Sequence, residues 1–262
     1  MIRQDLHRVA LLVDTSTGWG RRLARGVMNY AGKHGPWDLW LEPRGQNEPL
    51  RLPASWQGDG VIARVASRMM ADHLRESGKV IVNVSGIRIS GPQFPCVTTD
   101  ISAAVRLAVE HFLDRGIRNF GYVGLPRRDY SLARQEAFRE ACAAVSCQCL
   151  AYRPKLRGAG GTAWERQRAA LADWLVNLPK PVGIFTWGVR RGLEVIAAAR
   201  NAELRIPDDL AVLGGDEDEY FARRCGRRSL GCRSPRTRLA TKGRHSLIGF
   251  SKERKSSRKR SM

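Results

Sequence analysis

The segment Arg8–Glu42 constrains the fold more than any other part of this sequence. It opens with RVALLVD (Arg8–Asp14), a run so uniformly apolar that it is typical of a strand buried on both faces. The turn TSTGWG (Thr15–Gly20) follows, and apolar residues then recur at helical spacing until a Gly-Pro pair stops the helix. WDLWLE (Trp37–Glu42) resumes as a strand. The pattern predicts a βαβ unit, and therefore a parallel sheet covered by helices, with a ligand crevice at the carboxyl ends of its strands.

The same alternation of strand-like apolar runs and amphipathic stretches continues along the chain. Further strands are predicted at DGVIAR, KVIVNVS, CVTTD, NFGYVG, CQCLAY, VGIFTW and LAVLGG, with helices between most of them. About nine parallel strands are too many for one small sheet, so the sequence predicts an α/β fold with two doubly wound lobes. The alternative is a barrel of about eight evenly spaced units, which the long loops at 43–57 and 86–95 disfavour.

The basic character of the chain is concentrated in its last segment. The 262 residues carry a formal net charge of +20, but residues 222–262 hold 15 of the 45 Lys and Arg residues and only one of the 25 acidic residues. This segment also lacks apolar periodicity, so we expect a disordered basic tail. Its abrupt start after Phe221 favours a change of reading frame. The alternative is a genuine basic arm that binds DNA or RNA through phosphates without sequence preference.

Several classes of function find no support in the sequence. No apolar run approaches the roughly 20 residues that span a bilayer, and the N-terminal apolar run is short and flanked by charges, unlike a signal peptide. We therefore expect a cytoplasmic protein without membrane contact. No nucleophile–base arrangement or phosphate-binding loop is recognisable, and GWGRRLARG does not fit the GxGxxG dinucleotide pattern. We expect neither an enzyme nor a cofactor.

The cysteines form no recognisable metal or disulfide pattern. They are Cys96, Cys142, Cys147, Cys149, Cys225 and Cys232. None forms a CxxC pair, and no histidine lies at a metal-site spacing from them, so we expect free, buried thiols and no metal. The alternative is a redox or metal site at the cluster of Cys142, Cys147 and Cys149.

Several segments, taken in order, resemble one known family. They are RVALLVDTSTGWGRRLARGVMNYA, LPASWQGDGVIAR, CVTTDISAAVRLAVEHFLDRGIRNFGYVGLP, SLARQEAFREA, LADWLVNLPKPVGIF and IPDDLAVLGGDEDEYF. The resemblance is to the sugar-sensing domain of xylose operon regulators. These are AraC-type transcriptional regulators whose sensor is similar to LacI-type repressors and to type I periplasmic sugar-binding proteins. The resemblance covers the chain from about residue 6 to residue 221.

The resemblance implies a two-lobed sensor that closes on a small-molecule sugar, D-xylose or a related pentose, and acts as a homodimer. Residues 6–124 would form the N-terminal lobe and residues 125–221 the C-terminal lobe, with a fold that is incomplete at its C-terminal end before the tail at 222–262. The family carries a pair of helix-turn-helix units after the sensor, and none is recognisable in this chain. DNA is therefore expected as a partner of the full-length family member only.

Two other functions remain open at this point. A solute-binding protein for sugar transport has the same type of fold, although the absence of a recognisable signal peptide and the cysteine content argue against it. Non-specific nucleic-acid binding through the basic tail is the second alternative. Both would leave the α/β fold itself unchanged.

Three candidate ligand-binding residues come from the family match. A sugar offers hydroxyl groups and an apolar ring face, so its site needs carboxylates or amides, an arginine and an aromatic ring. By resemblance, Asp100, Arg134 and Asp216 line this site. Asp100 follows a predicted strand and opens a helix, so it also fits a helix N-cap. The alternative for Arg134 is an exposed position on a helix.

Three more candidates lie near the ends of early strands. Trp19, in the first βα turn, is expected to stack on the sugar ring, with packing away from the ligand as the alternative. Asp14 and Arg64 end two strands whose carboxyl ends are predicted to lie on the same side of the sheet. They are further candidates for polar ligand contacts.

One segment departs from the family pattern. Within TWGVRRG (Thr186–Gly192) the family often has an acidic residue ahead of the arginine–glycine step, where this chain has Gly188 and Val189. An expected carboxylate is therefore missing. We include Trp187 among the ligand-binding candidates because its ring could substitute stacking for the lost polar contacts.

Overall fold

The computed structural model describes residues 6–41, 50–126, 128–154 and 162–215. Contacts divide the chain into two compact units. Among the described residues, the first unit contains 6–12 and 36–100, and the second contains 13–35 and 101–215. Every helix within these ranges is too short or too polar to cross a membrane.

The first unit is built on a four-stranded parallel sheet. Its strands are β1 (His7–Leu12), β2 (Trp37–Leu41), β3 (Gly60–Ala63) and β4 (Val80–Asn83). Their spatial order is β2-β1-β3-β4, with parallel pairing throughout. The chain adds β2 on one side of β1 and then β3 and β4 on the other side. The order therefore reverses between β1 and β3, as in a doubly wound sheet.

Helix α2 (Arg68–Glu76) covers the core of the first unit. Ser67 caps it by accepting a hydrogen bond from the Met70 amide at 3.3 Å, and Gly78 follows it with a φ of 63°. Both ends agree with the sequence prediction. The buried Leu74 packs with apolar residues of the sheet in one core cluster.

The second unit is built on another four-stranded parallel sheet, in the order β6-β5-β7-β8. The strands are β5 (Asn119–Val123), β6 (Cys149–Ala151), β7 (Val182–Thr186) and β8 (Leu210–Gly214). The helices of this unit are α1 (Gly18–His34), α3 (Ile101–Leu113), α4 (Asp129–Ala143), α5 (Ala163–Val176) and α6 (Val189–Asn201). All five residues of β7 are buried, as expected of a central strand covered on both faces.

Alternate residues of the strands in the second unit enter two different cores. On one face, Phe120 and Phe185 pack with Phe112 of α3 and Phe138 of α4. On the other face, Ile184 packs in a cluster that includes residues of α5 and α6. This division follows from the period of two in a strand, which sends neighbouring side chains to opposite faces.

The division of the chain differs from the expected boundary at residue 124. The change of unit falls between Asp100 and Ile101, so α3 and β5 belong to the second unit. Strand β5 pairs with β6 and β7, and the ring of Phe120 lies 5.9 Å from that of Phe112 and 6.2 Å from that of Phe138. The alternation of strands and helices in the sequence predicts the order of the elements, but it does not predict which of two sheets a strand joins.

The segment CVTTD is the one predicted strand without a counterpart among the named strands of the described residues. It contributes an isolated bridge between Cys96 and Asn83. The Asn83 amide donates to the Pro95 carbonyl, and the Val97 amide donates to the Asn83 carbonyl, both at 2.8 Å. Prolines at 92 and 95 have no amide hydrogen to donate, which limits the ladder at this edge.

Replacing Gly183 by Ala should destabilise the second unit. A Cβ atom at Gly183 in β7 would lie 2.7 Å from the Phe112 ring, which is itself packed in the core, so the ring or the strand must shift. Overpacking of this kind lowers the free energy of unfolding by about 1–3 kcal/mol. Chemical denaturation of the purified variant measures the change.

The matched control for this prediction is Gly26→Ala in α1. A Cβ atom there meets nothing within 4 Å, and the position is exposed on a helix. Alanine should therefore raise the free energy of unfolding by about 0.5–1 kcal/mol. Equal effects of the two substitutions would contradict the packing described here.

Candidate functional site

Arg134, in α4, contacts the carboxyl ends of strands in the second sheet. Its guanidinium carbon lies 4.1 Å from the ring centroid of Trp187, the residue that follows β7. Its Nη1 atom donates a hydrogen bond of 2.8 Å to the Trp187 carbonyl and a longer one of 3.4 Å to the Gly215 carbonyl. Only 8% of Arg134 is exposed. The sequence alternative, an exposed helical arginine, is therefore wrong.

Backbone hydrogen bonds hold the strand ends on which Arg134 rests. The Trp187 amide donates to the Val123 carbonyl at 2.9 Å, and the Gly215 amide donates to the Thr186 carbonyl at 2.8 Å. The Thr186 hydroxyl is fully buried and lies 3.0 Å from the Gly188 carbonyl, to which it donates. These contacts fix the carbonyl oxygens that Arg134 reaches.

Gly215 is required by the close approach of the arginine. A Cβ atom at this position would lie 2.6 Å from Arg134 Nη1, 2.8 Å from the Thr186 carbonyl oxygen and 2.9 Å from the Trp187 carbonyl oxygen. No side chain fits these distances without displacement of a neighbour. The glycine thus allows a cation to lie directly over two strand ends.

The start of α4 supplies an aromatic and a hydroxyl group to the same region. The ring of Tyr130 lies 4.8 Å from that of Trp187, with an angle of 52° between their planes. Ser131 is buried, and its Oγ accepts a hydrogen bond of 2.8 Å from the amide of Leu125 in the loop after β5. The loop, the helix start and the Trp187 ring therefore form one packed group.

A second arginine reaches the end of β5. Arg191 Nε donates to the Gly124 carbonyl at 3.1 Å, and its guanidinium also pairs with Glu194 one turn along α6.

Burial raises the pKa of Tyr122, whose hydroxyl donates to the Ser131 carbonyl at 3.3 Å. The tyrosine therefore stays a neutral donor at physiological pH.

This cluster offers guanidinium donors, backbone carbonyl acceptors and two aromatic rings around three strand ends. We name it the strand-end cluster; it consists of Tyr130, Ser131, Arg134, Trp187, Arg191 and Gly215. Such a combination suits a polar, uncharged ligand with an apolar ring face. Within the described residues, no group of three or more His, Cys, Asp or Glu side chains is arranged to hold a metal ion.

Of the predicted site residues, the structure brings Arg134 and Trp187 into direct contact. Asp14 and Trp19 lie at the start of α1, where Asp14 Oδ1 accepts hydrogen bonds from the Ser16 amide at 2.9 Å and the Ser16 hydroxyl at 2.6 Å. Asp216 lies outside the described residues. The ligand contacts expected of these five residues stay predictions.

The remaining two candidates belong to the first unit. Arg64 directly follows β3 and is half-buried, and its amide donates to the Leu12 carbonyl at 3.0 Å. Asp100 is exposed and directly precedes Ile101, the first residue of α3. Its position is compatible with the expected N-cap, and its contact with a ligand also stays a prediction.

The departure from the family pattern has a clear structural form. Gly188 directly precedes α6 with extended backbone, and Val189 is 94% buried as the first residue of that helix. An apolar side chain therefore occupies the position at which the resemblance led us to expect a carboxylate. The Trp187 ring is engaged by both Arg134 and Tyr130 rather than left open for a ligand alone.

Sequence reasoning did not single out Tyr130, Ser131 or Arg191. Tyr130 precedes Arg134 by four residues, a spacing that places both on one face of a helix. That spacing was the available signal for Tyr130. Nothing local in the sequence indicates the contact between Arg191 and the end of β5, because the two are 67 residues apart.

The cysteines also differ in part from the expectation of buried thiols. None of the described ones is in a disulfide, but Cys96 is exposed, Cys147 and Cys149 are half-buried, and of these four Cys142 alone is fully buried. Cys96 directly follows Pro95 and forms an isolated bridge with Asn83, the last residue of β4. Cys225 and Cys232 lie outside the described residues.

The class of fold is confirmed by a family model. Residues 109–232 match the periplasmic binding protein-like domain. The match begins in α3 and continues beyond Phe221 into the segment expected to be a tail. The doubly wound parallel sheets, flanked by helices, agree with this class.

The particular relatives are regulators. The chain is 28% identical over 222 residues to the xylose operon regulatory protein of Escherichia coli K12, covering 81% of this chain and 55% of that protein. The protein of the same name from Haemophilus influenzae is 24% identical over 225 residues, covering 83% of this chain and 57% of its own length. The solved structure of a xylose-binding transcription activator, XylR, has a TM-score of 0.68 and 28% identity, covering 84% of this chain and 56% of that one.

The chain is therefore a homologue of xylose operon regulatory proteins, as its sequence segments predict. It spans little more than half the length of the relatives it matches.

Replacing Gly215 by Ala should disturb the strand-end cluster. The added methyl group must displace Arg134 or the strand ends, at a cost of about 1–3 kcal/mol in the free energy of unfolding. The near-ultraviolet circular dichroism of the tryptophans should change as well, because the guanidinium contact with the Trp187 ring is altered. Chemical denaturation and circular dichroism measure the two effects.

Gly192→Ala is the matched control for this substitution. Gly192 lies in α6, and its added Cβ would meet Thr186 Oγ1 at 3.5 Å and Val212 Cγ1 at 3.6 Å, which are ordinary contacts. Its free energy of unfolding should stay within about 1 kcal/mol of the parent, with alanine favoured in a helix. A harmless Gly215→Ala would show that Arg134 does not need this close approach.

Proposed function

We propose that this chain is the sugar-sensing part of a transcriptional regulator of pentose use, with D-xylose as its ligand. The observation that carries the proposal is its similarity to xylose operon regulatory proteins over 81% of the chain. The name of the XylR structure describes a protein that binds xylose and activates transcription. The strand-end cluster supports the same assignment from the chemistry of its side chains.

The geometry of Arg134 suits recognition of sugar hydroxyl groups. A guanidinium presents several N–H donors in one plane, and two of the acceptors that hold it in place are backbone carbonyls. The donors are therefore fixed in direction before a ligand arrives, which lowers the entropy cost of binding. The neighbouring rings of Trp187 and Tyr130 provide apolar surface for a sugar ring.

The proposal extends to location, partners and chemistry. We assign the chain to the cytoplasm, where regulators act on DNA, and we propose that DNA is a partner of the full-length regulator. We also propose a homodimer, since ligand-dependent regulators of DNA commonly read two half-sites. The strand-end cluster is assigned a binding role without catalysis, because it places no nucleophile beside a base.

Isothermal titration calorimetry of the purified chain with D-xylose, L-arabinose and D-ribose tests the ligand. We expect D-xylose to bind with the highest affinity. Arg134→Lys should weaken that affinity by about tenfold or more, because lysine keeps the charge but loses the planar set of donors and the stacking on Trp187. Unfolding curves recorded in parallel show whether each variant is folded.

Arg139→Lys is the control for the arginine substitution. Arg139 lies on the same helix, is exposed, and pairs with Glu136 away from the strand ends. Its replacement should leave the affinity for xylose unchanged. Tighter binding of arabinose or ribose would correct the identity of the sugar, and a folded protein that binds none of the three would overturn the proposal.

A further inference from the structure

Three cysteines of the second unit converge on one core cluster. Cys142 is a member of the aromatic core beneath α4, and Cys147 and Cys149 pack against the same core from its edge. Cys142 is fully buried near the end of α4, whereas Cys149 is half-buried at the start of β6. No cysteine among the described residues is in a disulfide. The function proposed above uses none of these thiols.

Strand register places Cys142 and Cys149 opposite each other. Cys149 is the register partner of Phe120 in the neighbouring strand, so both side chains leave the sheet on the same face. Phe120 contacts Phe138 of α4, with ring centroids 6.2 Å apart. Cys142 follows Phe138 by one helical turn on the same face of α4. Phe138 contacts Phe120 of β5. One turn further along α4, Cys142 therefore faces Cys149, which is the neighbour of Phe120 in β6.

The strand register and the helical spacing bring these two thiols to the same part of the core. The pKa of Cys142 is raised, first by a hydrogen bond with the Cys149 thiol and then by burial. Cys142 therefore stays protonated and does not react first with an oxidant, since the thiolate is the reactive form. Cys149 is the more accessible partner, because it lies half-buried on β6, an edge strand of the described sheet.

Cys147 is the competing partner. Its amide donates to the Cys142 carbonyl at 3.0 Å, in the turn that ends α4, where Ser146 adopts a φ of 57°. This turn directs the chain from the helix into β6. The register that sets Cys149 opposite Cys142 has no equivalent for Cys147, which lies before the paired residues of the strand.

We propose that Cys142 and Cys149 form a reversible disulfide that ties the end of α4 to the edge strand β6. The oxidant is hydrogen peroxide: the Cys149 sulfur attacks one of its oxygen atoms, the S–O bond of a sulfenic acid forms, the O–O bond breaks, and the hydroxide released takes up the thiol proton and leaves as water. The Cys142 sulfur then attacks the sulfenic sulfur, so that the S–S bond forms, the S–O bond breaks, and a second water leaves with the thiol proton. Two thiols lose two electrons in total, and a dithiol reductant reverses the change. Because α4 also carries Arg134, the bridge would restrain the helix that supplies this residue to the strand-end cluster.

Peptide mapping of the intact chain after treatment with hydrogen peroxide tests the proposal. Free thiols are alkylated, the protein is digested without reduction, and cross-linked peptides are identified by mass spectrometry. We expect an intramolecular Cys142–Cys149 link that disappears after dithiothreitol. Linkage of Cys147 in place of Cys149, or oxidation of the exposed Cys96 with no link at Cys142, overturns the proposal.

Two variants give a second, independent measurement. Cys149→Ala should abolish the intramolecular link at Cys142, while Cys96→Ser, at an exposed position outside the cluster, should leave it intact. Because the wild-type map already decides the pairing, a variant that fails to fold does not remove the test. Persistence of a Cys142 link in folded Cys149→Ala would contradict the assignment.

Discussion

The parallel pairing of every strand in both described sheets is the constraint on which the rest of the structure depends. Parallel neighbours cannot be joined by tight hairpins, so a crossover segment must return the chain to the starting edge of the sheet. The ends of β5, β7 and β8 consequently lie side by side. The strand-end cluster exists because three segments distant in sequence leave the sheet at the same edge.

Close packing at glycines gives this edge and its core their detailed form. Gly183 lets the Phe112 ring lie directly against β7, and Gly215 lets the Arg134 guanidinium lie against the strand ends. In one case the neighbour is an apolar ring and in the other a charged group that needs hydrogen-bond acceptors. The missing side chain thus allows close packing in the core at Gly183 and in the strand-end cluster at Gly215.

Much of the fold could be predicted from the sequence because its signals are local. Apolar runs located the eight named strands, Ser67 and Gly78 marked the limits of α2, and Gly116 follows α3 with a φ of 73°, as a helix-stopping glycine should. The change of unit between Asp100 and Ile101, rather than at residue 124, reflects the pairing of β5 with β6 and β7. Pairing of that kind depends on residues up to 63 positions away, such as Asn119 with Val182.

By itself, the sequence determined the α/β class, the order of the elements and the likeness to a sugar-sensing domain, and it offered Arg134 as a candidate site residue. Only the tertiary structure decided that Arg134 is buried, that it stacks on Trp187, and that Tyr130 and Arg191 join it. The reason is physical. Periodicity and capping act within one or two turns of chain, whereas a buried cation is specified by the carbonyl oxygens and rings that distant strand ends place around it.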